Sequence, residues 1–412
     1  MEIQRAGKQK KATVFASELA FTIVLFLAWT RYTLVNFGLI FVQRIPLIGS
    51  PIANIYPLIF IAFVLLAFPW IVKKVRVTEL LIYLLVVAAI ALTVVFHPQN
   101  ITVIGEQLGR ILVVSVPMMF IGVCYDHERH KKLLFLASLL AMLVMFVYQN
   151  YQMASGQTLM EDNMDAAYKV LPSVMYLLYY AYTDKSKPLW YWLVAVFGAG
   201  TLFIYGTRGP ILCVVVFIAI ISLLNLKKMQ TSWKKLLSVV VIAAVLVLVF
   251  SGDTMTNVAQ FLSTQFGKRG FSTRIFDAYI EGEMIDDSGR TRLIALSLTA
   301  IGENPFFGYG LLGDRVLLGT YPHHVFLELW IQFGVLFGTI AIVAVMILPI
   351  KALYKQRQDH EALVFLLMLI CTTFVKLLLS SSYLVEWPFF FMIGICLAMI
   401  RKSTAVEGGI RS

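Results

Sequence analysis

The chain has 412 residues, of which 59% are hydrophobic and only 14% charged. Soluble domains average about 45–50% apolar and about 25% charged residues, so this composition excludes a set of soluble domains and indicates an integral membrane protein. The formal net charge of +11 could suggest nucleic acid, but the 34 lysines and arginines cluster at the ends of apolar runs, where they report topology.

In chain order, apolar runs of spanning length predict about twelve transmembrane helices. They cover 14–30, 53–72, 79–97, 104–124, 132–150, 166–183, 188–205, 209–226, 236–250, 323–350, 361–379 and 384–400. The first run follows "MEIQRAGKQKK" with no small-residue cleavage site behind it, so it reads as a retained helix rather than a signal peptide. With the N-terminus inside, the cytoplasmic segments hold Lys8, Lys10, Lys11, Lys73, Lys74, Arg129, Lys131, Lys132, Lys227, Lys228, Lys351 and Lys355. The short outer loops hold only Arg31, Arg44 and Arg208. That asymmetry obeys the positive-inside rule and puts both termini in the cytoplasm. The chain divides into 1–250 with nine spans, an extracytoplasmic loop at 251–322, and 323–412 with three spans and a cytoplasmic tail. A connection of about 70 residues is long enough to be functional or disordered.

Cys124, Cys213, Cys371 and Cys396 lie within or at the ends of spans without Cys-x-x-Cys spacing, which indicates neither a disulfide framework nor a zinc site. Ionisable residues are expensive inside a bilayer and normally face a cavity or a partner. Here Glu106, Arg110, Lys169, Arg208, Glu328, Lys376 and Glu386 fall in the outward half, which predicts a polar cavity open to the extracytoplasmic side. Glu106 and Arg110, four residues apart, read more simply as a structural ion pair. Glu18, near the inner end of the first span, reads as snorkelling.

Within the long loop, "DDSGRTRLIALSLTAIGENP" predicts a helix with Ser288 as N-cap, an apolar face of Leu293, Leu296, Ala300 and Ile301, and an end at Gly302 and Pro305. Arg290 and Arg292 in its first turn, beside free N–H groups, suit a phosphate or diphosphate; a helix lying on the membrane with arginines at the headgroups fits the spacing equally. Gly308, Gly310 and Gly313 repeat the dinucleotide-binding spacing, but no strand precedes them, so they are assigned to turns. Glu281, Glu283, Asp286 and Asp287 read as a solvated loop face in preference to a metal site. Of six histidines, His127, His130 and His360 fall among charges in cytoplasmic loops and are expected to be exposed, and His97 ends a span. His323 and His324, in "YPHHVFLELW", stand at the outer mouth of a span, with Glu328 one turn or so below and able to orient an imidazole or raise its basicity.

"GTRGP", "SGRTRLIALSLTAIGENPFFGYG" and "YPHHVFLELWIQFGVLFG", in that order, resemble successive signature blocks of the O-antigen polymerase and O-antigen ligase superfamily. The blocks cover roughly residues 205–340, and the last block of the family typically reads His-Asn-x-aromatic-Leu-Glu. His323 therefore takes the histidine position and His324 replaces the asparagine. The resemblance implies an all-α, GT-C-like membrane fold and an inverting, metal-independent glycosyl transfer from an undecaprenyl-diphosphate-linked sugar to a hydroxyl, with no cofactor. It implies the bacterial plasma (inner) membrane, an extracytoplasmic active site, membrane lipids and lipid-linked oligosaccharide donor and acceptor as partners, and a chain-length regulator protein as a further partner. Such chemistry needs a base for the acceptor proton and positive charge for the leaving diphosphate. His323 is the expected base and Arg208 and Arg290 the diphosphate clamps, with Arg292, Glu328, Lys376 and His324 as supporting substrate-binding residues. The histidine block looks most like that of capsule and exopolysaccharide polymerases; a ligase, or a lipid-linked oligosaccharide flippase with no need of a base, are the alternatives.

Overall fold

The computed structural model describes residues 2–42, 49–154, 163–184, 186, 188–205, 207–225, 253–271, 273–281 and 290–409. Among these residues every regular element is helical, as long apolar runs dictate in a solvent that cannot satisfy backbone polar groups. Six helices are long and apolar enough to cross a bilayer: Val14–Val35, Val77–Phe96, Pro98–Cys124, His127–Tyr151, Val325–Lys355 and His360–Leu379. Leu189–Leu202 and Arg208–Leu224 are shorter apolar helices. The predicted run at 236–250 and the Ser288 N-cap lie outside the described residues.

The chain forms two compact units. One comprises Met1–Ala137 with Arg290–Ser412, and the other Ser138–Gly289. In the first unit, ion pairs join the ends of spans that the basic residues assign to the cytoplasm. Arg129 pairs with Glu18, Arg401 with Glu79, and Lys131 with Glu361, the last at 3.1 Å, and the His127 ring is within hydrogen-bond distance of the same Glu361 oxygen, also at 3.1 Å. Glu18 is thus partnered by a side chain and does not simply snorkel. The expected exposure of His127 and His130 is also corrected. His130 is buried and packs against the Phe21 ring at 5.7 Å, while His127 lies 4.8 Å from the Phe365 ring. Helix packing overrides the polar local sequence there. Glu106 and Arg110 are both exposed and form no ion pair with each other; the α-helix that carries Glu106 ends at Gly109, and the segment continues as π-helix from Arg110 to Ser115.

The predicted span at 323–350 is not one straight helix. It starts at Val325, after His324 in extended backbone, and continues to Lys355, but at Gly334 the backbone turns to φ 73°, ψ 172°. That break frees carbonyls that a helix would have used, and the loop before it takes them up. Tyr309 N–H donates to the Ile331 carbonyl at 2.8 Å and Gly310 N–H to the Gln332 carbonyl at 2.9 Å, while Val335 N–H donates to the Pro305 carbonyl at 2.7 Å. The loop's glycines are required by this docking. Gly308 has φ +67°, and a Cβ on it would come within 2.5 Å of the Gly334 backbone nitrogen. From the other side Asn100 donates to the carbonyls of Tyr309 and Leu311, at 2.8 and 3.2 Å. "GYGLLG" is therefore a turn clamped between two spans, in accord with the assignment of its glycines to turns.

The loop helix runs Arg290–Glu303 and buries Ser297, Ala300 and Ile301. Leu296, expected on its apolar face, is exposed instead: the buried face runs through Ser297, Ala300 and Ile301, and Ile301 forms a small core with Leu327 and Ile331. In the second unit the helices Asn163–Thr183, Leu189–Ile204 and Arg208–Asn225 follow one another, with Tyr180 and Tyr191 rings in edge contact at 5.2 Å.

Candidate functional site

The site in the first unit is built on the short helical segment between His324 and the Gly334 break. Four residues per turn put Glu328 and Gln332 on one face, and the break holds that face against two other segments. Asp314, Glu328 and Gln332 are all essentially inaccessible. Gln332 Nε2 donates to Asp314 Oδ1 at 2.7 Å, and Arg315 Nη1 pairs with Asp314 Oδ2 at 2.8 Å and with Glu328 Oε1 at 3.4 Å. The Ser382 hydroxyl donates to Glu328 Oε1, and the Tyr383 hydroxyl donates to Gln332 Oε1 at 2.8 Å. Buried carboxylates survive only when paired and hydrogen-bonded; the network meets both conditions for Asp314 and for Glu328 Oε1, while Glu328 Oε2 is buried without a hydrogen-bond partner. Burial pushes the Asp314 carboxyl above its usual range, with the Arg315 guanidinium opposing that rise.

The turn carrying Ser382 joins a second pair to the first. Ser381 donates to Glu386, and Glu386 accepts from Lys376 Nζ at 2.7 Å. Lys376 is buried and directly follows the π-helical stretch Cys371–Val375, a departure from α-helix that often marks functional positions. Its charge is balanced within the protein by Glu386, a partnership that bears on its expected role at a substrate.

His323 lies at the edge of this network, in a conformation that L-residues seldom adopt, with φ +54°. It precedes the helix, so it shares no helical face with Glu328, whose carboxylate is turned to Arg315, Gln332 and Ser382. Its ring lies against that of Tyr321, 4.2 Å between centroids and tilted by 45°, and its Nδ1 is buried without a hydrogen-bond partner. His324 caps the helix by position alone, with its ring 5.4 Å from Phe326 and its Nδ1 likewise unpartnered. Burial pulls the pKa of His323 below the ordinary imidazole value, and the nearby Arg290 guanidinium pulls it further. His324 is lowered by burial alone. Near neutral pH His323 is thus a neutral imidazole, with the Arg290 charge near enough to oppose its protonation.

The structure therefore brings Arg290, His323, His324, Glu328 and Lys376 into one unit, with Arg290 at the start of the loop helix. Arg292 is exposed on the same helix. Arg208 belongs to the second unit, where it opens the helix Arg208–Asn225; the adjacent Gly209 leaves room for the Tyr168 hydroxyl, which a Cβ there would overlap. Sequence reasoning missed Asp314, Arg315, Gln332, Ser382 and Tyr383. A signal was present for three of them: Asp314 and Arg315 interrupt "GLLGDRVLLG", and Gln332 lies four residues after Glu328 in an otherwise apolar run.

Residues 193–343 match the family model described as O-antigen ligase. That match supports the O-antigen polymerase and ligase superfamily. It spans Arg208, Arg290, Arg292, His323, His324 and Glu328, and it ends before Lys376. The superfamily consists of membrane enzymes related to glycosyl transfer, and it implies lipid-linked oligosaccharide substrates in a membrane. Comparison with curated proteins and with solved structures gives no match.

Proposed function

We propose that this protein is a polymerase that joins undecaprenyl-diphosphate-linked oligosaccharide repeat units into a surface polysaccharide by inverting, metal-independent transfer. The observation that carries the reading is His323: a neutral, partly buried imidazole with an unpartnered ring nitrogen, fixed on strained backbone beside the Arg290 cation. In the proposed step the acceptor hydroxyl gives its proton to His323 as its oxygen attacks the donor's anomeric carbon. The bond from that carbon to the diphosphate oxygen breaks, so the configuration inverts. Arg290 and Arg208 stabilise the charge that develops on the departing undecaprenyl diphosphate, with Arg292, His324, Glu328 and Lys376 supporting substrate binding. The site faces the extracytoplasmic side of the bacterial plasma membrane, in a GT-C-like fold of about twelve spans, and a chain-length regulator is a further partner.

A polymerase and a ligase share this chemistry and differ in acceptor. Purified protein incubated with a synthetic lipid-diphosphate oligosaccharide in EDTA is expected to give a ladder spaced by one repeat unit. Transfer only when a second lipid or a protein acceptor is added would identify a ligase. Transbilayer movement of the intact lipid-linked oligosaccharide with no new linkage would identify a flippase.

The sidedness is tested separately, in a background lacking the four native cysteines. Thr299→Cys, on the exposed face of the loop helix, is expected to react with a membrane-impermeant thiol reagent from outside intact cells. Gln358→Cys, in the turn after Lys355, is expected to react only after the cells are opened. Labelling of Gln358→Cys in intact cells overturns the topology.

A further inference from the structure

Three residues other than glycine have positive φ among the described residues: Leu312 at 59°, His323 at 54° and Ser381 at 70°. They lie on three separate stretches of chain, and those are the stretches tied together by the buried carboxylate network. Leu312 is two residues before Asp314, His323 is five before Glu328, and Ser381 adjoins Ser382. Left-handed backbone at a non-glycine residue is unfavourable and persists only where the surroundings over-determine it. Arg315 is the member of the network that reaches toward the histidine. Its guanidinium, paired with Asp314 and Glu328, lies 5.8 Å from the Tyr321 ring centroid, and the Tyr321 ring lies against that of His323, 4.2 Å between centroids at a tilt of 45°.

We infer that Arg315 is a positioning residue for the transfer reaction, holding His323 in its left-handed conformation by way of the Tyr321 ring. Arg315 does not touch the imidazole. Its two carboxylate partners, both at Nη1, hold the guanidinium in place, the guanidinium holds the tyrosine ring by cation–π contact, and the ring sets the orientation of the histidine beside it. A guanidinium suits this work because its charge is delocalised over a rigid plane, whereas the lysine ammonium is a point charge on a flexible stem and would hold the ring less firmly. The inference rests on the assignment of His323 as base.

The test compares Tyr321→Phe, Tyr321→Leu, Arg315→Lys and His323→Ala in the polymerisation assay, with thermal stability of the detergent-solubilised protein measured for each. Tyr321→Phe keeps the ring and is expected to keep turnover within about threefold. Tyr321→Leu is expected to lose about 10- to 100-fold in kcat with the KM for the lipid-linked donor within about twofold, a pattern in which an interaction needed only for the chemical step has been lost. Arg315→Lys, which keeps the buried charge balanced, is expected to show the same kcat loss in a protein that still folds. Full turnover in Tyr321→Leu overturns the positioning role. So does equal loss in Tyr321→Phe and Tyr321→Leu, which would assign the effect to the hydroxyl, or a raised KM at unchanged kcat, which would assign it to donor binding. An active His323→Ala removes the base itself; an inactive His323→Ala beside a fully active Tyr321→Leu removes only the positioning.

Discussion

His323→Ala is expected to lower turnover by about 10²–10⁴, the usual worth of a positioned general base, with little change in expression or thermal stability. The stability half of that expectation follows from the structure. The imidazole is only partly buried and makes no hydrogen bond through Nδ1, and alanine keeps the Cβ on which the cost of the φ +54° backbone depends, so that cost is unchanged. His324→Asn serves as the comparison. It replaces the imidazole with the amide of the family pattern, which can hydrogen-bond but cannot accept a proton near neutral pH, and it is expected to leave polymer formation near the parental level. Loss of polymer in His324→Asn with retention in His323→Ala would exchange the two assignments, and normal polymer in both would favour the flippase.

The second large effect concerns the cations. Arg290→Ala and Arg208→Ala are each expected to cost about 10²–10³ in rate, the magnitude of losing one preorganised charge-stabilising donor. Arg290 carries an additional, separable consequence. Its charge opposes protonation of His323, so the basic form of that imidazole persists to lower pH than in a free histidine. Removing the charge in Arg290→Gln raises the His323 pKa, and the acid limb of the kcat/KM profile is expected to move to higher pH as well as to a lower ceiling. An unchanged limb would separate Arg290 from His323, and more than half of parental activity in Arg290→Ala would remove Arg290 from the mechanism.

Much of the helical architecture was legible because a bilayer tolerates few solutions, and long apolar runs of the right length announce themselves. The break at Gly334 was not. Within "IQFGVLFG" one more glycine in an apolar run is unremarkable, and the break exists only because the loop at 305–310, distant in kind though near in sequence, supplies the hydrogen bonds that the helix gives up. Leu296 is a similar case: its place on an apolar stripe did not reveal that the helix turns Ser297, Ala300 and Ile301 inward instead.

At the site, His323 and Arg290 could be singled out from residue type and position, but their relation to Glu328 could not. A carboxylate five residues from a histidine invites a direct contact. The left-handed turn at His323 separates them, and the partners Glu328 takes instead come from Arg315 and Ser382, thirteen and fifty-four residues away. Networks assembled across such separations leave only faint traces in one sequence, here an Asp-Arg pair in an apolar stretch and a glutamine where a leucine would serve. His130 shows the opposite error. Charged neighbours made it look exposed, while the rings of Phe21 and Tyr125 flank it and its Nδ1 lies 2.8 Å from the Asp126 carbonyl.

The most direct measurement is the stoichiometry and stereochemistry of transfer by the purified protein in EDTA with a synthetic undecaprenyl-diphosphate oligosaccharide of known anomeric configuration. The account predicts one undecaprenyl diphosphate released per glycosidic bond formed, every new bond inverted relative to the donor, and both quantities abolished together in His323→Ala. Linkages that retain the donor configuration, or undiminished release in His323→Ala, would contradict it.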